Sequence, residues 1–465
     1  LLQEFTRRGV DLLSEHDPVL YELLDQEYRR QNDTLAMIAA SSIADPSVIA
    51  CEGMVTSNVT TEGYAGARYH AGCRFVDEIE RLAIERAKAA FKARYANVQP
   101  HSGSTANQVV MFNLLKAGDT VLRLDLDAGG HLTHGDKASV SGRYFNAVGY
   151  GLDGKGLIDY AQVYELALRF KPKLIICGAS AYPRVIDFKR FREIADEAGA
   201  FLMADISHIA GLVVAGEHPS PIDHAHFTTT STYKQLYGPR GGLILIGKDY
   251  EQPSPDGCGT LSSMVQRGVF PFFQGTPNLS VVAAKARALA FVATAEFREL
   301  ARLIVSGARA LAEWFVAAGY KVLTGGSDNH IVLIDVQTRG MTGLVAERAL
   351  EECGIIVNKN KIPGDKRSAL ITGGLRLGTN CLAARGMGAA EMPRCAGLIN
   401  QVLSSMKVLG ESSYELDEGV TRLVRAEVRQ LCAEFPIPRY PISALGGRGQ
   451  SETFEAVPRS QRLPG

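Results

Sequence analysis

TTTSTYKQLYGPRGG, residues 228–242, carries a run of Thr and Ser out of an apolar segment, reaches Lys234, and closes on a Gly-Pro-Arg-Gly-Gly turn. A lysine that must reach one aldehyde carbon turn after turn belongs at a strand end held by rigid turns. Taken alone, a lysine in a polar loop reads as a surface residue. Its surroundings reverse that reading. Strand candidates Phe227–Thr230 and Leu243–Ile246 flank the stretch, and further runs stand at Val121–Leu126, Leu174–Cys177 and Phe201–Ala204. Continuous apolar strands alternating with helical patterns predict a mainly parallel α/β sheet covered on both faces.

Upstream, ADISHIAG places Asp205 directly after the strand Phe201–Ala204, with His208 three residues on. A carboxylate at the end of a buried strand can pair with a protonated pyridine nitrogen and keep that ring an electron sink. His208 is placed to approach the ring's phenolic oxygen or a substrate carboxylate. In QPHSGSTAN, Ser102, Gly103 and Ser104 open a helical pattern, and helix N-terminal amides with hydroxyls make a phosphate seat; alone, they read rather as an ordinary N-cap. In LDAGGHLTHG, two glycines permit close backbone approach before His131, whose imidazole can stack on a pyridine face. Singly these are ordinary turn and cap residues. Jointly they point to pyridoxal 5'-phosphate (PLP).

The periodic apolar positions Val76, Ile79, Ala83, Ala87 and Phe91 predict a helix over 76–96. Residues 1–55 read as an N-terminal helical arm, 56–319 as a large cofactor domain ending in a long helical region from Val281, 320–434 as a smaller C-terminal α/β domain, and 435–465 as a Pro-, Gly- and Arg-rich tail. Lys+Arg and Asp+Glu both total 50, so no charge excess favours nucleic acid or an anionic membrane. No apolar run approaches the roughly 18 residues of a membrane span. Eight cysteines without CxxC pairs fit reduced thiols in a cytoplasm and argue against a metal site.

The chain resembles the serine hydroxymethyltransferase family from about residue 20 to 434, in EGYAGARYHAGC, QPHSGSTAN, GGHLTHG, SAYP, ADISHIAGL, TTTSTYKQLYGPRGG, VNKN and GLRLGT. Long motifs in this order are specific where any single one is not. The resemblance implies a fold type I, aspartate-aminotransferase-like PLP transferase. It implies Lys234 as covalent holder of the cofactor, Asp205 as partner of the pyridine nitrogen, His131 on the ring and His208 near its phenolate. Ser102, Gly103, Ser104, Ser180, Tyr233, Gly275 and Thr276 then complete the cofactor site, and Arg376 binds the substrate carboxylate. Glu62 matches the family's proton-shuttling glutamate, whose role asks for burial. Tyr69, Leu126, Gly130, Leu132, Phe270 and Asn360 fall with Glu62 on folate-contacting positions, which implies tetrahydrofolate as cosubstrate. An obligate homodimer, pairing further into a tetramer or not, is implied too, with Glu62, Tyr69 and Gln274–Thr276 crossing the interface.

Departures from the family cluster around the substrate. Its Ile-Ala-Ser-Glu-Asn reads Ile38-Ala39-Ala40-Ser41-Ser42, losing a carboxylate-binding hydroxyl at Ala40. Its tyrosine two residues before the glutamate is Thr60, the second tyrosine of Arg-Tyr-Tyr is His70, and the His before the cofactor lysine is Tyr233. The loop Phe-Pro-Gly-x-Gln-Gly-Gly-Pro has become Phe270-Pro271-Phe272-Phe273-Gln274-Gly275-Thr276-Pro277. Replacing a ring by Thr60 frees space for a second substituent on Cα, where one misplaced methyl costs about 1–3 kcal/mol. The expected reaction is therefore reversible conversion of α-methylserine to alanine, the one-carbon unit passing to tetrahydrofolate. The alternatives are ordinary serine hydroxymethyl transfer, a tetrahydrofolate-independent aldolase (Ser368-Ala369-Leu370 departs from the family's Ser-Pro-Phe) and a non-catalytic protein of PLP-enzyme fold.

Overall fold

A computed structural model describes residues 1–441. Seven strands form one sheet in the order Tyr95–Asn97, Gly242–Ile246, Phe227–Ser231, Phe201–Asp205, Leu174–Cys177, Thr120–Leu124, Asn146–Tyr150. The last five are mutually parallel, and the first two run antiparallel to their neighbours. Every residue of Leu174–Cys177, Phe227–Ser231 and Gly242–Ile246 is buried, as a sheet covered on both faces requires. The parallel strands end together, so Asp205 and Ser231 arrive at one edge of the sheet, where α/β proteins place their ligands.

Several boundaries differ from the sequence reading. The helix expected to Ala96 stops at Phe91, where Lys92 turns left-handed, and Tyr95–Asn97 becomes an edge strand. Leu126, expected to end a strand, sits in the short turn Leu126–Ala128. The long helical region is two helices, Leu279–Val292 and Ala295–Ala317, the second capped by the Thr294 hydroxyl accepting from the Phe297 amide at 3.2 Å. Its first half packs Phe297 and Ile304 into the core under the large sheet, and its second half packs Leu311 and Phe315 into another core.

That other core belongs to a four-stranded antiparallel sheet, ordered Lys321–Val322, Ile331–Asp335, Gly374–Gly378, Asn358–Asn360. The first 55 residues are not an arm alone. Helices Leu2–His16 and Pro18–Asp33 bury no residue, but the strand Leu35–Ala36 pairs with Ile355–Ile356, and Leu35 and Met37 are fully buried in this second core. The tail reading beyond residue 441 lies outside the described residues.

Candidate active site

Past Ser231 the chain leaves its strand, makes a turn through Lys234, and returns as Gly242–Ile246. Thr232 closes the turn, its amide donating to Gly241 O at 3.0 Å and its hydroxyl to Pro239 O at 2.6 Å. Lys234 is buried and its ammonium bonds to no described residue. Burial pulls its pKa down to about 8, against the opposing charge of Asp205. The lowered pKa gives Lys234 a far larger neutral fraction at neutral pH than a free lysine has, and the neutral amine is the nucleophile that carbonyl chemistry needs.

Lys234 lines one cavity with Ser102, Gly103, Ser104, His131, Ser180, Asp205, His208 and Tyr233. Asp205 is fixed by four donors. The Ser207 amide and hydroxyl donate to Oδ1 at 3.0 and 2.6 Å, and Asn107 and His134 donate to Oδ2 at 2.7 and 2.9 Å. Burial opposes its charge, but the hydrogen bond and charge of His134 override it and hold the carboxyl far below the usual range. His131, His134 and Asp205 gather ligand atoms within 4.8 Å of one another. The His134 Nε2 proton lies between the ring and Asp205, so the cluster orients a carboxylate.

Asn107 also donates to Thr133 Oγ1 at 2.9 Å, and His131 Nδ1 accepts from the Thr133 amide at 3.3 Å, so the Thr133 hydroxyl, 2.7 Å away, gives its proton to that same nitrogen. His131 therefore carries its own proton on Nε2. Burial lowers its pKa to about 4, which keeps the ring neutral.

Another wall of the cavity is an anion seat. Ser102 caps the twelve-residue helix Gly103–Leu114, its hydroxyl accepting from the Thr105 amide at 3.0 Å. Gly103 has no room for a side chain, since a Cβ would meet Ser231 at 3.1 Å, and one on Gly242 would meet Ser102 O at 2.3 Å. The backbone is thus free to face a phosphate. Ser231 also lines the cavity, and its Oγ is buried without a partner among the described residues. An ionised carboxylate, an unpartnered lysine, a helix N-terminus and an orphan hydroxyl around one cavity fit PLP.

A sequence profile described as Serine hydroxymethyltransferase matches residues 13–399. The chain is 47% identical over 441 residues, 95% of its own length and 99% of the relative's, to a protein of Rhodospirillum centenum (strain ATCC 51521 / SW) named "Serine hydroxymethyltransferase". The chain belongs to the serine hydroxymethyltransferase family. It is a PLP-dependent hydroxymethyltransferase, and the family uses tetrahydrofolate as the one-carbon carrier.

Other residues mapped from the family lie outside the Lys234 cavity. Thr60, Tyr69 and His70 are exposed, Tyr69 by 74%. Glu62 was expected to be buried; its side chain is 40% exposed because the Glu62–His70 loop faces outward in the single chain, with His70 Nε2 3.3 Å from the carboxylate. Gly275 stands beside Glu62, whose Oε1 lies 3.4 Å from where its Cβ would be, and Thr276 lines a neighbouring cavity that shares Arg240. Tyr69 and Phe270 pack ring to ring at 5.6 Å. Leu126 and Asn360 lie elsewhere, on segments tied by the Lys361–Asp127 ion pair at 2.9 Å, and Leu132 is exposed. The glycines before His131 pack closely against the chain itself: Cβ atoms on Gly129 and Gly130 would meet Ala181 O at 2.6 Å and Leu124 O at 2.2 Å. Arg376 donates from Nη1 to Ser180 O at 2.6 Å and from Nε to Asn358 at 3.1 Å, and burial lowers its pKa to about 10.

Sequence reasoning missed Asn107, His134, Ser207, Ser231 and Arg240, all lining the cavity. Each stands inside a quoted motif, but as a neutral or second polar residue in it.

Proposed function

We propose that this chain is an α-methylserine hydroxymethyltransferase, acting as a homodimer with tetrahydrofolate as acceptor. The observation that carries the reading is Thr60, a small side chain two residues before Glu62, where the family has a tyrosine. The loop bearing it is held firmly. Arg68 is buried between Asp77, at 2.8 Å, and Glu80, and donates to Thr61 O at 2.9 Å and Gly63 O at 2.8 Å. An anchored loop with exposed Thr60, Tyr69 and His70 suits a surface that completes the Lys234 cavity of a second subunit.

When bound, PLP supplies the electron sink that makes the Cα–Cβ bond cleavable. Lys234 holds the cofactor, and Asp205, fixed by His134, Asn107 and Ser207, keeps the pyridine nitrogen protonated. Ser102, Gly103, Ser104 and, across the interface, Gly275 and Thr276 bind phosphate, with the Tyr233 phenol standing in for the missing family tyrosine. Arg376 orients the α-carboxylate through its guanidinium. Glu62 moves the proton of the hydroxymethyl oxygen. Leu126, Gly130, Leu132 and Asn360 of one subunit, with Glu62, Tyr69 and Phe270 of the other, form the folate pocket.

A substrate without a Cα hydrogen cannot react by deprotonation there, so only the bonds to the hydroxymethyl carbon and to the carboxylate can break, and Glu62 at the hydroxyl with Arg376 on the carboxylate favours the former. The test is steady-state kinetics on α-methylserine and serine, each with and without tetrahydrofolate. The reading expects α-methylserine to be preferred and turnover to require folate. Preference for serine rejects the substrate; full turnover without folate makes the protein an aldolase.

A further inference from the structure

His208 does not stand alone behind the cavity. Its Nδ1 lies 3.4 Å from Nε2 of His330, and both rings are buried. The planes are 19° apart and the centroids 5.6 Å, so the facing nitrogens are the closest approach and the rings meet edge to edge. His330 belongs to the loop that opens the strand Ile331–Asp335 of the smaller sheet, whereas His208 follows the strand Phe201–Asp205 of the larger one.

The proton on His330 can be placed. Its Nε2 also lies 3.1 Å from the carbonyl oxygen of Ala39, which only accepts. Its Nδ1 is buried and has no partner among the described residues, so a proton there would donate to nothing. A neutral ring with one acceptor at Nε2 and none at Nδ1 carries its hydrogen on Nε2. Ala39 is itself fixed, accepting also from Asn380 Nδ2 at 3.1 Å. The His330 N–H thus points at two acceptors, Ala39 O and His208 Nδ1, in a three-centre bond.

We infer that His330 is a positioning residue that fixes the tautomer of His208: by donating to Nδ1 it confines the His208 proton to Nε2, the nitrogen that bonds to no described residue. Because His208 lines the cavity, it presents a hydrogen-bond donor there and not a lone pair. A donor stabilises a negatively charged oxygen, a phenolate or a carboxylate, where an acceptor would repel it. Burial, with Lys234 and Arg376 adding positive charge around both rings, disfavours a proton on either, so the pair stays neutral and the tautomers stay defined. The consequence for the cofactor rests on the function proposed above, but the tautomer itself does not.

The experiment is long-range ¹H–¹⁵N correlation on apo protein labelled with ¹⁵N-histidine, His208 being assigned by loss of its signals in His208→Asn. Wild type should show Nε2 protonated and Nδ1 bare. His330→Leu should release His208 into a mixture of tautomers, and His330→Gln, which keeps an amide donor near the Nε2 position, should restore the wild-type pattern. On adding PLP, the leucine variant should bind at least severalfold more weakly and absorb at a shifted wavelength, with the glutamine variant close to wild type. A wild-type His208 protonated on Nδ1 overturns the inference, as does an unchanged His208 pattern in His330→Leu. Should the leucine variant not fold, the wild-type spectrum alone decides. Normal tautomers with no PLP binding at all would instead reject the proposed function.

Discussion

Ser42 donates its hydroxyl to the backbone carbonyl of Tyr233, the residue before the cavity lysine. Both positions depart from the family pattern, and they meet in space although 191 residues apart. The N-terminal segment therefore buttresses the lysine turn directly. Ser42→Ala should lower stability by about 1 kcal/mol, the usual worth of a partly buried hydrogen bond. It should also weaken PLP retention, read as faster loss of visible absorbance on dialysis.

Asn107 joins three polar side chains: it accepts from Thr229 at 2.6 Å and donates to Asp205 and Thr133. Asn107→Asp puts a second carboxylate 2.7 Å from Asp205 and removes both donations. Like charges at that distance cannot both ionise. We expect a loss of about 3 kcal/mol or more in urea unfolding, whereas a neutral outcome would mean that Asp205 is not charged.

The architecture was largely legible because buried parallel strands are short apolar runs whose ends carry the chemistry. Asp205, Ser102 and Lys234 could be found from their places at such ends. What stayed hidden lacked that signal. Asn146–Tyr150 is half-exposed and contains two small residues, and Tyr95–Asn97 continues a helical pattern without a Gly or Pro to stop it. Asn107 and His134 act through other side chains, so nothing in their spacing announced them. The Glu62 loop was readable as motif but not as location, because in one chain it faces away from Lys234.

Acid should destabilise the apo protein through buried neutral histidines. Burial holds His131 at about 4 and His330 at about 3, below the 6.5 of a free imidazole. The unfolded chain takes up protons first as pH falls below 6.5, so stability is full above that value and declines from there toward pH 4. Each group contributes a slope of roughly 1.4 kcal/mol per pH unit. Urea midpoints at pH 7.5 and 5 should therefore differ clearly, and His330→Gln should flatten the dependence.

Thr60→Tyr restores the family ring beside the proposed substrate position. It should cut kcat/KM for α-methylserine by about 10–200-fold, the worth of one excluded methyl, while serine is spared or improved. Equal losses on both substrates would show that the position does not read the Cα substituent.

The account rests on which amine holds the cofactor. Borohydride reduction of the PLP-loaded enzyme, followed by peptide mapping, should place the pyridoxyl group on Lys234, within the peptide containing TSTYKQLYGPR. A label on any other lysine, or none, would contradict it.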